Sequence, residues 1–151
     1  MVDVVDRITR SRMMAGIKGT NTKPEVALRR ALHRLGFRYR VHVRELPGKP
    51  DIVLPRYRAA IQIHGCFWHR HESCTYATNP ASNQTFWKEK FRETIARDLR
   101  KKKALEQAGW RIAIVWECAL KEDGPEVIAQ EVRSWLLSSK PFKEIPKRKK
   151  S

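Results

Sequence analysis

The chain has 151 residues, with 32 Lys and Arg against 16 Asp and Glu, a formal net charge of +16 and a pI near 10.3. That length suits one domain with its own core, and the charge points to a polyanionic partner, nucleic acid first. No apolar run approaches the ~20 residues that cross a bilayer, and Met1-Val2-Asp3-Val4 does not open a secretory leader, so an intracellular protein without membrane association is expected.

Residues 1–21 read as a basic arm, with Arg7, Arg10 and Arg12 and a short helix over 11–18 carrying Met14 and Ile17. Thr22-Lys23-Pro24-Glu25 is a capping box with proline in the first turn. Val26, Leu28, Leu32 and Leu35 follow at helical spacing, and Gly36 is the stop. Residues 37–44 alternate apolar and basic, the signature of a strand with one buried face. After the turn Leu46-Pro47-Gly48-Lys49-Pro50, short strands over 51–54 and 58–63 complete a three-strand meander.

A long helix is expected from about 85 to 108, turning Trp87, Phe91, Ile95, Leu99 and Leu105 inward and ending at Gly109. Residues 110–116 have the apolar density of a buried strand. Asp123-Gly124-Pro125 opens a last helix bearing Val127, Ile128, Val132, Trp135 and Leu136. The folded domain is then 22–138. Residues 139–151, with Lys140, Lys143, Lys147, Arg148, Lys149, Lys150 and two prolines, read as a basic, disordered tail.

Chemistry concentrates in His64-Gly65-Cys66-Phe67-Trp68-His69-Arg70-His71, closed by Cys74. Cys66, His71 and Cys74 are spaced for one loop to fold around a zinc ion, with Cys118 completing a structural tetrahedron from the core side. The competing reading is a small buried Cys118 and two unrelated thiols. Asp51, at a strand start beside the end of the next strand, could bring a carboxylate, a main-chain carbonyl and the His64 imidazole together. Such oxygen ligands suit Mg²⁺, with His69 or His64 as proton acceptor. Taken alone, Asp51 reads first as a turn residue after a proline.

Glu25 serves as a capping-box acceptor, and positions a metal-bound water only if its side chain turns outward. Phe67 and Trp68 stand in a polar loop, where a wedge entering a base stack would favour defective pairing; loop packing is the alternative, and for Trp87 the helix's apolar stripe. Arg38, Arg40, Arg44 and Lys49 form a basic face, and if roughly six cations touch phosphates, log affinity falls with log salt at a slope near −5.

Taken together, Arg10-Ser11 with Met14 and Ile17, Thr22 to Glu25, Pro47-Gly48-Lys49-Pro50-Asp51, His64-Gly65-Cys66-Phe67-Trp68-His69, Phe86-Trp87, Arg97-Asp98, Gly109-Trp110-Arg111 and Val115-Trp116-Glu117-Cys118 resemble the very short patch repair DNA mismatch endonucleases. The resemblance covers most of the domain, from about residue 10 to 120. It implies a restriction-endonuclease-like α/β core, a mixed central sheet flanked by helices, with a structural zinc. The implied activity is nicking of one strand of duplex DNA beside the T of a T·G mismatch left by deamination of 5-methylcytosine.

Carried over by position, Asp51 is the Mg²⁺ ligand together with the main-chain carbonyl of Ile63, His69 the general base, and His64 and Glu25 supporting catalytic residues. Cys66, His71, Cys74 and Cys118 are the zinc ligands, and Phe67, Trp68 and Trp87 the intercalating wedge. Ile63 replaces a threonine of the family pattern, which a main-chain ligand tolerates, and Thr94 replaces an asparagine of the long helix. The loop from His71 to Cys74 is one residue longer, so His69 and His71 compete for the zinc. A monomer in the bacterial cytoplasm that meets mismatch-repair proteins completes the expectation. Two other readings remain: a small restriction endonuclease cutting matched sites, and a zinc-stabilised DNA-binding protein without catalysis.

Overall fold

The first helix forms where the capping box places it. The Glu25 N–H donates to Thr22 Oγ1 (3.4 Å), Pro24 occupies the first turn, and α1 runs Lys23–Arg34, burying Leu28 and Leu32. The computed structural model describes residues 22–146, so the expected arm over 1–21 and residues 147–151 of the tail lie outside the described residues.

Five strands follow: β1 Arg40–Val41, β2 Ile52–Leu54, β3 Ala59–His64, β4 Arg111–Trp116 and β5 Phe142–Ile145. They form one mixed sheet in the order β1-β2-β3-β4-β5, antiparallel from β1 to β3 and parallel from β3 to β5. The meander is as expected, but the strand expected over 37–44 shortens to Arg40–Val41. Its partner β2 offers only three residues, and His42 turns out of the ladder at φ 53°. The alternation survives as burial, since Phe37 and Val43 still point inward.

Two faces of the sheet are covered by different helices. Ile61, Ala113 and Val115 pack on α1, on α3 (Glu117–Asp123) and on α4 (Pro125–Leu136), which supply Leu28, Leu32, Ala119, Ile128, Val132 and Trp135. The alternate residues Ala60 and Ile112 meet Leu105, near the end of the long helix α2 (Gln84–Gln107). Among the described residues no helix is long and apolar enough to cross a membrane.

Three corrections to the sequence reading concern helices and tail. Leu105 is the one buried residue of α2, while Ile95 (44%) and Leu99 (57%) are exposed. Steps of four residues overshoot a helical turn by ~40°, so a stripe drawn through Trp87, Phe91, Ile95 and Leu99 rotates by roughly 120° toward solvent. The face that holds both Trp87 and Leu105 instead carries Thr94, Asp98 and Lys101. In α4, Val127 is exposed. The tail does not begin at 139: Phe142–Ile145 pairs with β4 and buries Ile145, and Trp116 Nε1 donates to Glu144 Oε2 (2.7 Å). The surrounding lysines and prolines hid this strand, as they hid the short helix α3.

Candidate active site and metal centre

The N-terminal half of α2 stands off the sheet and leaves a cleft of ≈ 1050 Å³ over the ends of β2 and β3. Asp51 enters it from the start of β2, where its Oδ2 accepts the Ile63 N–H at 2.7 Å, a bond across two strands that fixes the carboxylate. Burial pushes the Asp51 carboxyl up to about 6, against the lowering effect of the Ile63 N–H, and the Glu25 carboxylate adds to the rise. Glu25 turns into the cleft from the first turn of α1. It is buried, and Oε2 meets Arg29 at 3.4 Å and His42 at 3.3 Å. The cap and the cleft thus share one residue, the backbone serving one and the carboxylate the other.

His64 closes β3 with its ring buried and face to face on His69, centroids 3.9 Å apart. Burial, then the neighbouring His69, lowers the His64 pKa to about 3, so this imidazole stays neutral. Among the described residues its buried Nδ1 has no hydrogen-bond partner. His69 is different: its Nδ1 lies 2.7 Å from Asp98 Oδ2 on α2. That contact holds the ring and leaves Nε2 for other work. Asp98 was quoted in the sequence pattern without a role; its signal was a polar residue on the same helical face as Trp87 and Leu105.

The loop after β3 winds tightly, His69 N–H onto Gly65 O and His71 N–H onto Cys66 O, both at 3.0 Å. This winding separates the two histidines. His71 faces the cysteines, with Nδ1 3.7 Å from Cys66 Sγ and 3.4 Å from Cys118 Sγ, and its ring stacks on Trp116 at 4.1 Å. One donor atom each from Cys66, His71, Cys74 and Cys118 lie within 4.8 Å of one another, a possible metal site. Burial raises the Cys66 and Cys118 thiols above their usual range. A second group, His64, His69 and Asp98, is similarly close.

Phe67, Trp68 and Trp87 come together inside a larger aromatic cluster. Phe67 meets Trp68, Trp87 and Phe91 edge-on at 5.2, 5.6 and 5.3 Å. Arg70, which the sequence reading left without a task, lies 4.1 Å over Phe91 and donates to the carbonyls of Phe67, Ala77 and Thr78. It ties the loop to α2 and sets the cluster at the rim of the cleft. Ile63 lines the cleft too.

Comparison with known proteins adds an independent finding. The family described as DNA mismatch endonuclease Vsr matches residues 2–75. A type II nicking enzyme of Xanthomonas oryzae pv. oryzae is 43% identical over 124 residues, 82% of this chain and 90% of the relative. The DNA mismatch endonuclease Vsr of Escherichia coli is 40% identical over 139 residues, 90% of this chain and 88% of the relative. A type II nicking enzyme of Neisseria meningitidis is 44% identical over 121 residues, covering 80% and 86%. The chain belongs to the Vsr family of DNA mismatch endonucleases. The Vsr family match spans Glu25, Asp51, His64, His69 and three members of the cysteine and histidine cluster, whereas Asp98 and Cys118 lie beyond it.

Proposed function

We propose that the protein nicks one strand of duplex DNA beside the T of a T·G mismatch from deaminated 5-methylcytosine, as in very short patch repair, with catalytic Mg²⁺ and structural Zn²⁺. The observation that carries the hydrolytic part is the His69–Asp98 contact, 2.7 Å, placed in one cleft with the half-buried Asp51 carboxylate. A restriction-endonuclease-like core is consistent with the mixed five-stranded sheet, and the endonuclease domain would run from 22 through β5.

The residues fit both metals. Asp51 is a half-buried carboxylate near a second one, Glu25, and its raised pKa is the mark of an anion short of a cation. Asp51, with the Ile63 carbonyl, would hold magnesium, which supplies positive charge against the scissile phosphate. The cluster of three thiols and one imidazole suits zinc as a closed, four-ligand scaffold without a place for water. His71, not His69, is its imidazole on this reading, because His69 is engaged with Asp98.

The chain's own groups then divide the work. His69 Nε2 accepts the proton of the attacking water, and Asp98 stabilises the imidazolium that results. The water oxygen bonds to phosphorus as the bond to the leaving deoxyribose oxygen breaks. Neutral His64 donates a hydrogen bond to the phosphate and, stacked on His69, limits how far that ring tilts. Glu25 holds the water and His42 in place, and Phe67, Trp68 and Trp87 press into the weakened base step.

Replacing Asp51 by Ala tests the assignment. Nicking of a T·G duplex in Mg²⁺ should be lost while DNA binding is retained; normal nicking by Asp51→Ala would remove Asp51 from the site.

A further inference from the structure

The wall of the cleft opposite Asp51 is the inward face of α2, and one turn beyond Asp98 that face presents Lys101. Its side chain is half-buried. Arg44, Lys49 and Arg97 also line the cleft but are exposed, and Lys90 lies about three turns away toward the start of α2, while other cations nearby are engaged. Lys102 meets Glu106 at 3.5 Å and the Phe142 ring at 4.3 Å, Lys121 meets Glu117 at 2.6 Å, and Arg70 is spent on carbonyls. Among the described residues the Lys101 ammonium has no ion-pair or hydrogen-bond partner. Across the cleft stand Asp51 and His64, and its charge lowers the proton affinity of both.

Gly48 adds a geometric observation. It sits in the turn that leads into Asp51, at φ 73°, and a Cβ there would stand 2.8 Å from Lys101 Cβ and 3.1 Å from Cγ. The turn that delivers Asp51 therefore packs directly on the stem of Lys101. Any side chain at 48 would displace that stem, and the left-handed backbone disfavours one as well.

We propose that Lys101 is a further catalytic residue, an ammonium that contacts a non-bridging oxygen of the scissile phosphodiester. A half-buried lysine without a protein anion beside it, facing a site built for a phosphate, is completed by the substrate. The phosphate gains negative charge as water attacks, so a fixed cation there acts more strongly on the transition state than on bound DNA. The effect belongs to the chemical step, unlike that of exposed lysines, which govern binding and its salt dependence. The assignment rests on the nuclease reading of the cleft.

The test is single-turnover nicking of a T·G duplex with protein in excess, alongside Mg²⁺-free binding of the same duplex. Lys101→Met should slow nicking by ~10²-fold at saturating protein, in the range for loss of one preorganised charge contact, with affinity nearly unchanged. Lys101→Arg should recover part of the rate, and ethylamine should restore some activity to Lys101→Ala. Gly48→Ala should slow nicking in the same sense, while Lys103→Met, on the outer face of α2, should not. Nicking by Lys101→Met at the wild-type rate, or a defect confined to binding, would overturn the proposal. Asp51→Ala run in parallel separates the two readings: if it nicks normally the nuclease site itself is misplaced, and if it is inactive while Lys101→Met is active, only the lysine fails.

Discussion

The carboxyl of Asp51, held at about 6 by burial, implies a cost as well as a function. An acid whose pKa is raised in the fold is bound to its proton more tightly there than in the unfolded chain. Stability without Mg²⁺ therefore falls as pH rises from about 4 to about 6, and the full penalty is present at neutral pH. Asp51→Asn should raise the unfolding free energy in Mg²⁺-free buffer at pH 7 by on the order of 1–3 kcal/mol while abolishing nicking. Urea titrations at pH 4 and 7 check this; an equal effect at both would contradict it. In the same logic, nicking at limiting Mg²⁺ should decline below about pH 6 as Asp51 takes up a proton. Asp98→Asn should lower kcat by about 10²-fold or more without weakening DNA binding, since the His69 ring loses its partner. A pH–rate profile with Asp98→Asn unchanged from wild type would show that the 2.7 Å contact is structural only.

Among the elements, α2 separates what the sequence displayed from what it concealed. The helix itself was legible, since its apolar residues recur at helical spacing and Gly109 closes it. Which of them reach the core was not, because spacing by fours leaves the buried face after two turns. Leu105→Ala should cost about 2–5 kcal/mol and slow nicking by loosening the wall that carries Asp98, whereas Leu99→Ala should stay within about 0.5 kcal/mol. Thermal melts of the two variants decide between the expected and observed faces. The loop after β3 was legible in its ligand types: cysteine and histidine in that density mark a site whatever the fold. The contact that holds His69 was not, because its partner Asp98 stands 29 positions away. On the zinc reading, Cys118→Ala should lose bound zinc and lower Tm by roughly 10 °C or more, as removal of ~3 kcal/mol would. Retention of one equivalent of zinc would contradict that ligand set.

At the scale of the whole molecule, a charge of +16 on 151 residues surrounds a cleft that holds the carboxylates of Glu25, Asp51 and Asp98. On the proposed reading the basic surface gathers DNA of any sequence, and magnesium offsets these carboxylates before a phosphate enters. On that reading binding is general and cleavage conditional on the metal. The mixed α/β class, the meander and the Vsr resemblance were readable from the chain because motifs and periodicity are local. β5 was not, since its stability comes from β4 beside it and from the Trp116 to Glu144 bond, neither visible in a lysine-rich tail. The central claim is that the cleft cuts DNA only where pairing is defective. It is tested most directly by mixing two end-labelled duplexes, identical but for one T·G pair in place of C·G, with the protein and Mg²⁺. The account predicts a nick in the T-bearing strand of the mismatched duplex alone; equal cleavage of both duplexes, or none in Mg²⁺ or Mn²⁺, would contradict it.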